Sequence, residues 1–235
     1  MMKKIREYFK KYGLMKSFLH FLKRIGAIYK REYIFFETKL QAEIPLIKNR
    51  NDIDLDFISV RKKNFENFRF PNDDKWITKT NALRRLTERN CTLLALIRGN
   101  EILCYDWFEA KRAHLSDLDL IVSIPDDVVY NLGLYTIPDI RGKGLASDIK
   151  LSLLHFLKEQ GYQKVFLIVR SNNLASQKVS EKCGFRAYQT VTYRRISVLK
   201  YYCVNEFGTN KIKRFLYIKG SDQQLWKAFS KIKDY

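Results

Sequence analysis

Between Leu134 and Val169 the sequence passes through a short apolar strand, a turn broken by Gly142 and Gly144, an amphipathic stretch and a second apolar run, Val165-Phe166-Leu167-Ile168-Val169. Leu145, Ile149, Leu153, Phe156 and Leu157 recur at helical spacing, and Gly161 supplies the left-handed residue that ends a helix, so residues 143–160 are expected to be helical. The unbroken, branched run from Val165 to Val169 fits a strand buried on both faces. Strand, crossover helix and parallel strand make one right-handed β-α-β unit, which commits the chain to a sheet with at least one parallel pair and a helix on its face. The two glycines let the backbone bend tightly and approach a ligand. The unpaired amides of the helix's first turn point at the same place, so an anion is the natural occupant.

The next residues sharpen that reading. Asn172 and Asn173 stand where an N-cap belongs, ahead of a short helix from about Ala175 to Cys183 that Gly184 ends before Phe185. Arg141-Gly142-Lys143-Gly144-Leu145-Ala146 resembles the Arg/Gln-x-x-Gly-x-Gly/Ala pyrophosphate loop of the GNAT superfamily of N-acetyltransferases, and Asn173 through Ser176 to Gly184-Phe185 resembles that family's later Asn-x-Ala-Ser…Gly-Phe segment. Two separated motifs in the right order are more specific than either one. The resemblance covers residues 134–188 well, residues 53–133 only through the order of elements, and the two ends of the chain not at all.

The resemblance implies an α+β, three-layer fold: a mixed, mostly antiparallel sheet with a β-α-β cofactor unit. It also implies acetyl-coenzyme A, or another acyl-coenzyme A, as cofactor and no metal. Leu134, Tyr135 and Thr136 would pair with the pantetheine arm, and Arg141, Gly142, Lys143, Gly144, Leu145 and Ala146 would hold the pyrophosphate, with Asn173 and Ser176 completing the cofactor site. A backbone amide near Leu134 to Thr136 would serve the developing oxyanion. In many relatives a tyrosine on the last helix protonates the departing sulfur; here Ser180 holds that position, and a serine hydroxyl is a poor acid near neutral pH. For a base, the resemblance points to a carboxylate near the strand before the loop, Asp126 or Asp127, or to a water relay; against the carboxylates stands the ordinary turn chemistry of Pro125-Asp126-Asp127. Tyr105 and Trp107, on a strand with Asp106 and Glu109, are candidates for the acceptor pocket; taken singly, each reads as a packed aromatic beside an exposed carboxylate. His114 is a further candidate base, with a surface position as its plainer reading.

The rest of the chain fits the same order. Residues 28–39 read as a strand, Ile53, Leu55 and Phe57 alternate, and Trp76 to Arg89 reads as a helix. Arg98-Gly99-Asn100-Glu101 is a tight turn between strands Thr92 to Ile97 and Ile102 to Phe108. A strand over 128–137 delivers the loop, and a last one runs from about Phe185 to Val198. Past it, Ile212 to Ile218 suits a strand, and Leu225, Trp226, Phe229 and Ile232 suit a closing helix. The expected organisation is a basic helix-and-strand extension over 1–40, the transferase-like domain over 41–198, and a basic extension over 199–235.

Charge is concentrated at the ends. The 235 residues carry a net +19, yet residues 1–34 hold ten basic and two acidic side chains and residues 186–235 hold eleven and three, leaving the middle nearly neutral. A phosphate-rich cofactor does not require two basic flanks. Besides simple solubility, they suit an anionic membrane surface or an acidic carrier protein. Ile5, Tyr8, Phe9, Tyr12, Met15, Phe18, Leu19, Leu22 and Ile25 form an amphipathic stripe that can pack on the domain, pair with a second copy in a homodimer, or lie in a membrane interface. No helix-turn-helix, zinc-finger or RNA-binding signature accompanies the charge, so a nucleic acid is not expected. Cys91, Cys104, Cys183 and Cys203 show no metal-ligand spacing and no disulfide framework, and no signal-peptide core forms, so a cytoplasmic protein, peripheral at the inner membrane surface at most, is expected.

Two classes of function remain open. One is an enzyme that moves an acetyl group from acetyl-coenzyme A to the amine of a small or phosphorylated acceptor such as an amino sugar or sugar nucleotide, with a longer acyl donor as a variant. The other is a binding protein that kept the fold and lost the reaction.

Overall fold

The structure, a computed structural model, describes residues 13, 28–41, 43–45, 56–71, 78–89, 91–196, 199–209 and 212–217. Apart from Gly13, the amphipathic stretch from Ile5 to Ile25 lies outside these residues, as do Ile53, Leu55, Trp76 and the expected closing helix. The chain divides into two compact units, one of residues 34–188 and one of residues 1–33 with 189–235.

Strand β1 (Ile28–Lys39) starts in the smaller unit and ends in the larger, where β2 (Asp56–Val60), helix α1 (Lys79–Glu88), β3 (Thr92–Arg98) and β4 (Glu101–Ala110) follow. A small hairpin, β5 (Arg112–Leu115) with β6 (Leu120–Ser123), leads to β7 (Val128–Thr136), α2 (Leu145–Glu159), β8 (Lys164–Arg170) and α3 (Leu174–Lys182). Within this unit the main sheet runs in the order β1-β8-β7-β4-β3-β2. Strands β2, β3, β4 and β7 pair antiparallel, and β7 and β8 pair parallel, as the crossover through α2 requires.

Alternation along the strands sends the two faces to two cores. On one face, Leu151, Leu153, Leu154 and Leu157 of α2 pack with Phe108, Val129, Val165 and Leu167. On the other, Ala82 and Leu86 of α1 pack with Phe65, Leu93, Ala95, Tyr105 and Trp107. The helices α1 and α2 thus cover opposite faces, giving three layers and a mixed, mostly antiparallel sheet. Helix α1 begins at Thr78, whose side chain accepts the Asn81 amide at 3.2 Å.

In the smaller unit β9 (Arg186–Ile196), whose first residues belong to the larger one, continues into β10 (Leu199–Glu206) and β11 (Ile212–Tyr217) as an antiparallel meander. Tyr193 stacks on Tyr202 with ring centres 5.1 Å apart, and Tyr29 meets Tyr193 edge-on at 5.6 Å.

Two expected surface carboxylates are buried instead. Asp106 is bound by Lys150 Nζ at 3.0 Å and by the Asn131 amide nitrogen at 2.8 Å, and Lys150 also donates to the Asn131 carbonyl. All three side chains are buried. Burial pushes the Asp106 carboxyl up from its ordinary value, while Lys150 and Asn131 pull it back. Glu109 is likewise buried. It accepts the His114 backbone amide at 2.6 Å and the Cys91 thiol at 3.1 Å, and lies 3.1 Å from both Arg89 Nε and His114 Nδ1. His114 is therefore a half-buried member of a polar cluster, and desolvation lowers its pKa below 6.5 against the pull of Glu109.

Removing one partner of a buried ion pair strands the other, so Asp106→Ala is expected to destabilise the protein by about 3–5 kcal/mol in denaturant titration. The double change Asp106→Leu with Lys150→Met should recover much of the loss, and no recovery would mean the pair does more than neutralise itself. For His114 the lowered folded pKa means that stability is complete above about pH 6.5 and falls as pH drops through the folded value. The fall in unfolding midpoint from pH 7 to pH 5 should shrink in His114→Gln.

Candidate functional site

Strand β7 creates the site by leaving β8. The two pair only from Val128 opposite Lys164 to Asn131 opposite Leu167, although β7 continues to Thr136 and β8 to Arg170. Beyond Asn131 one edge of β7 has no ladder with β8. On its other edge, against β4, Leu132 faces Trp107 and Tyr135 faces Tyr105, so that Gly133 and Leu134 together oppose Asp106 in a β-bulge. Gly133 takes φ +75°, a conformation glycine adopts without strain. The Lys150–Asp106–Asn131 network fastens α2 to β4 and β7 directly behind this bulge.

Past Thr136, a single 3-10 turn (Pro138–Ile140) leads to Arg141, Gly142 at φ +77° and Gly144 at φ +83°. Gly144 is the N-cap of α2 and has no side chain with which to close the first turn; the Ser147 and Asp148 amides turn back on its carbonyl at 2.9 and 3.2 Å, which leaves the Leu145 and Ala146 amides facing a ligand. An added Cβ at Gly142 would meet nothing within 4 Å, so only its backbone angle excludes other residues. Arg141 is held by a bond from its Nε to the Thr136 carbonyl at 2.8 Å and lies over the Tyr135 ring at 5.6 Å.

These elements border one cleft of about 640 Å³. Strand β7 contributes Leu134, Tyr135 and Thr136, the loop contributes Arg141, Gly142 and Gly144, and the start of α2 contributes Leu145 and Ala146. Asn173 and Ser176 close the far wall, Asn173 also capping α3 by accepting the Ser176 amide at 3.2 Å. Lys143 is exposed and does not line the cleft. Lys178 and Lys182 do line it and were not anticipated; with Ala175 and Val179 they recur at three- and four-residue steps on one face of α3, which was the available signal. Arg141, Lys178 and Lys182 give the wall three cations, and no carboxylate lines it among the described residues.

The side chains expected to do chemistry lie elsewhere. Ser180 is buried, and its hydroxyl donates back to the Ser176 carbonyl at 2.9 Å, one helical turn away, so its proton is committed and it does not line the cleft. Asp127 is exposed in the turn before β7, where its carbonyl accepts the Gln163 and Lys164 amides. Eight residues of strand, ~26 Å, separate it from Tyr135, too far for it to serve as a base at the bulge. Tyr105 and Trp107 are buried and form no open pocket wall. They instead belong to a ladder: Trp107 meets Tyr105 edge-on at 6.3 Å, Tyr105 stacks on Tyr135 at 5.4 Å, and Arg85 of α1 lies over Trp107 at 5.5 Å.

A strand edge that has left its ladder, a glycine loop feeding a helix without a side-chain cap and a cationic wall together form a cleft that could hold an extended, phosphate-bearing ligand. The sequence agrees over the same stretch: residues 111–185 match the model of the acetyltransferase (GNAT) family. No curated protein matches the chain. Among solved structures it is similar to a protein of Novosphingobium aromaticivorans assigned to the GNAT acetyltransferases, at 13% identity over 70% of this chain and 63% of that one, with a TM-score of 0.47. It is also similar to the ribosomal-protein-alanine N-acetyltransferase of Brucella melitensis (16% identity, 55% and 89% covered, TM-score 0.40). A third is the aminoglycoside N-acetyltransferase AAC(6')-Iy in complex with CoA (18% identity, 56% and 88% covered, TM-score 0.43). The chain thus spans less than two thirds of the first of these structures.

Because the Ser180 hydroxyl serves the helix and not the cleft, Ser180→Ala should cost about 1 kcal/mol of stability. Titration with inorganic pyrophosphate should give the same affinity for the variant as for the wild type. A tenfold weaker titration would return the hydroxyl to the cleft.

Proposed function

We propose that the protein is an N-acetyltransferase that moves an acetyl group from acetyl-coenzyme A to the primary amine of a small or phosphorylated acceptor. The observation that carries this reading is the cleft itself: the Leu145 and Ala146 amides after Gly144, three cations and, among the described residues, no carboxylate, set beside the part of β7 that has left its ladder with β8. These residues fit a pyrophosphate joined to an amide-bearing arm. Bound there, acetyl-coenzyme A supplies an acyl carbon already activated as a thioester.

The chain's own contribution is mostly positional. The amides following Gly144 take the pyrophosphate, and the charges of Arg141, Lys178 and Lys182 neutralise it. The free edge of β7 pairs with the arm, and the bulge at Gly133 and Leu134 turns a backbone amide out of register, toward where negative charge develops on the carbonyl oxygen. No histidine or carboxylate lines the cleft among the described residues, so water carries the amine's proton away. That same absence, with Ser180 committed to its helix, favours a second reading in which the cleft binds the cofactor and transfers little. The three buried free thiols, Cys91, Cys104 and Cys183, support a reducing compartment such as the cytoplasm. Burial pushes the Cys104 thiol up to about 12 and Cys183 up to about 11, which keeps both unreactive. The basic flanks are proposed to meet an anionic membrane surface or acidic carrier.

The test is calorimetric titration with coenzyme A, followed by an assay of free thiol released from acetyl-coenzyme A in the presence of primary amines. Each L residue placed at a left-handed angle costs roughly 1–2 kcal/mol, so Gly142→Val with Gly144→Val should weaken coenzyme A binding about tenfold or more. Binding without thiol release across a broad amine panel would support the second reading, and no binding by the wild type would reduce the loop to a turn.

A further inference from the structure

The aromatic ladder has a cation at each end. At the cofactor end Arg141 covers Tyr135 and is tied to the Thr136 carbonyl. At the other end Arg85, reaching from α1, lies over Trp107 and makes no hydrogen bond or ion pair through its guanidinium among the described residues. It lies close against the bulge: a Cβ built on Gly133 would stand 3.1 Å from Arg85 Nη1 and 3.2 Å from Trp107 Cδ1. Gly133 is exposed, Arg85 is half-buried, and the neighbouring Leu134 already lines the cofactor cleft, so the guanidinium stands beside the exposed bulge on the α1 face of the sheet.

Two further observations suggest that this end awaits a ligand. The Trp107 indole N–H is buried and has no hydrogen-bond partner, although its ring edge faces Gly133. The charge on Arg85 is also poorly compensated. Burial lowers its proton affinity and Arg89 lowers it further, while Glu109, whose charge still reaches it, is already engaged by Arg89, His114 and Cys91. A guanidinium placed over an indole, with its donors unspent among the described residues, is prepared for a bidentate oxyanion.

We infer that Arg85 is the specificity-determining residue of the acceptor site, binding a carboxylate or phosphate carried by the amine that is to be acetylated. The inference rests on the transferase reading for the word acceptor, but not for the anion site itself. Gly133 belongs to the same device. Any side chain there would press on Arg85 Nη1 and Trp107 and close the approach, which is a second reason, beside its backbone angle, for glycine at this position.

The experiment uses the full chain saturated with coenzyme A, so that the cofactor cleft is occupied. It is titrated calorimetrically with matched pairs that differ only in the anion: glucosamine 6-phosphate against glucosamine, phosphoethanolamine against ethanolamine, and serine against serinamide. At least one anionic member should bind about tenfold more tightly than its neutral partner, the pair that shows it telling phosphate from carboxylate. Arg85→Gln should abolish that preference, Arg85→Lys should keep part of it, and both should leave coenzyme A affinity and the unfolding midpoint near wild type. In the thiol-release assay the loss should fall on KM for the anionic amine and leave kcat within a few-fold. Equal binding of every pair by the wild type, no binding of any anionic member, or a preference undiminished in Arg85→Gln would overturn the assignment. Failure of all amines to release thiol, with the Arg85-dependent preference intact, would instead overturn the transferase reading and leave the anion site standing.

Discussion

The geometry of the cleft depends on one buried ion pair. Lys150 sits on α2, two turns from the glycine loop, and its ammonium is spent on Asp106 of β4 and Asn131 of β7. Asp106 is the single residue that opposes the two bulged residues of β7, and Asn131 is the last residue of β7 that pairs with β8. The network thus stands where the sheet stops being regular, and it fixes there the helix whose N-terminus forms the cleft. An apolar pairing of equal volume could match it in stability but would not lock the helix in angle and register, because dispersion contacts have no directional demand.

On the opposite face the same irregularity is supported by aromatic rings. Tyr135 belongs both to the cleft lining and to the ladder, so its position is set by Tyr105 below and Arg141 above. Offset and edge-on ring contacts are each worth roughly 0.5–1.5 kcal/mol beyond burial, enough to hold a side chain without closing the space beside it. The result is a strand that has left its β8 ladder yet has Tyr135 held by ring contacts, the combination a site acting chiefly through positioning would require.

How much of this was legible follows from where each signal resides. The glycine loop, the crossover helix and β8 are local patterns, since a left-handed turn and a helical stripe are encoded within a dozen residues. The burial of Asp106 and Glu109 was not legible, because their partners Lys150 and Arg89 lie 44 and 20 positions away and only the fold brings them together. The hairpin of β5 and β6 was missed for a different reason. Its strands are four residues long and its turns use Lys111 at φ +66° and Asp119 at φ +56°, left-handed positions that no glycine announces. Ser180 matched a motif position, yet whether a serine on a helix points its proton outward or back to the preceding carbonyl is decided by packing. Strand β10 fell where the resemblance gave no guide, and its alternation was not recognised.

The uncapped start of α2 has a consequence beyond recognition. Many helices satisfy their first amides with a capping side chain, but Gly144 has none, and the Leu145 and Ala146 amides are left for an anion. An anion bound there would be a structural part of the helix, and by linkage its concentration would add to folding stability as RT ln(1 + [L]/Kd). A protein built this way would report the supply of such a ligand through its own stability, and so through its lifetime.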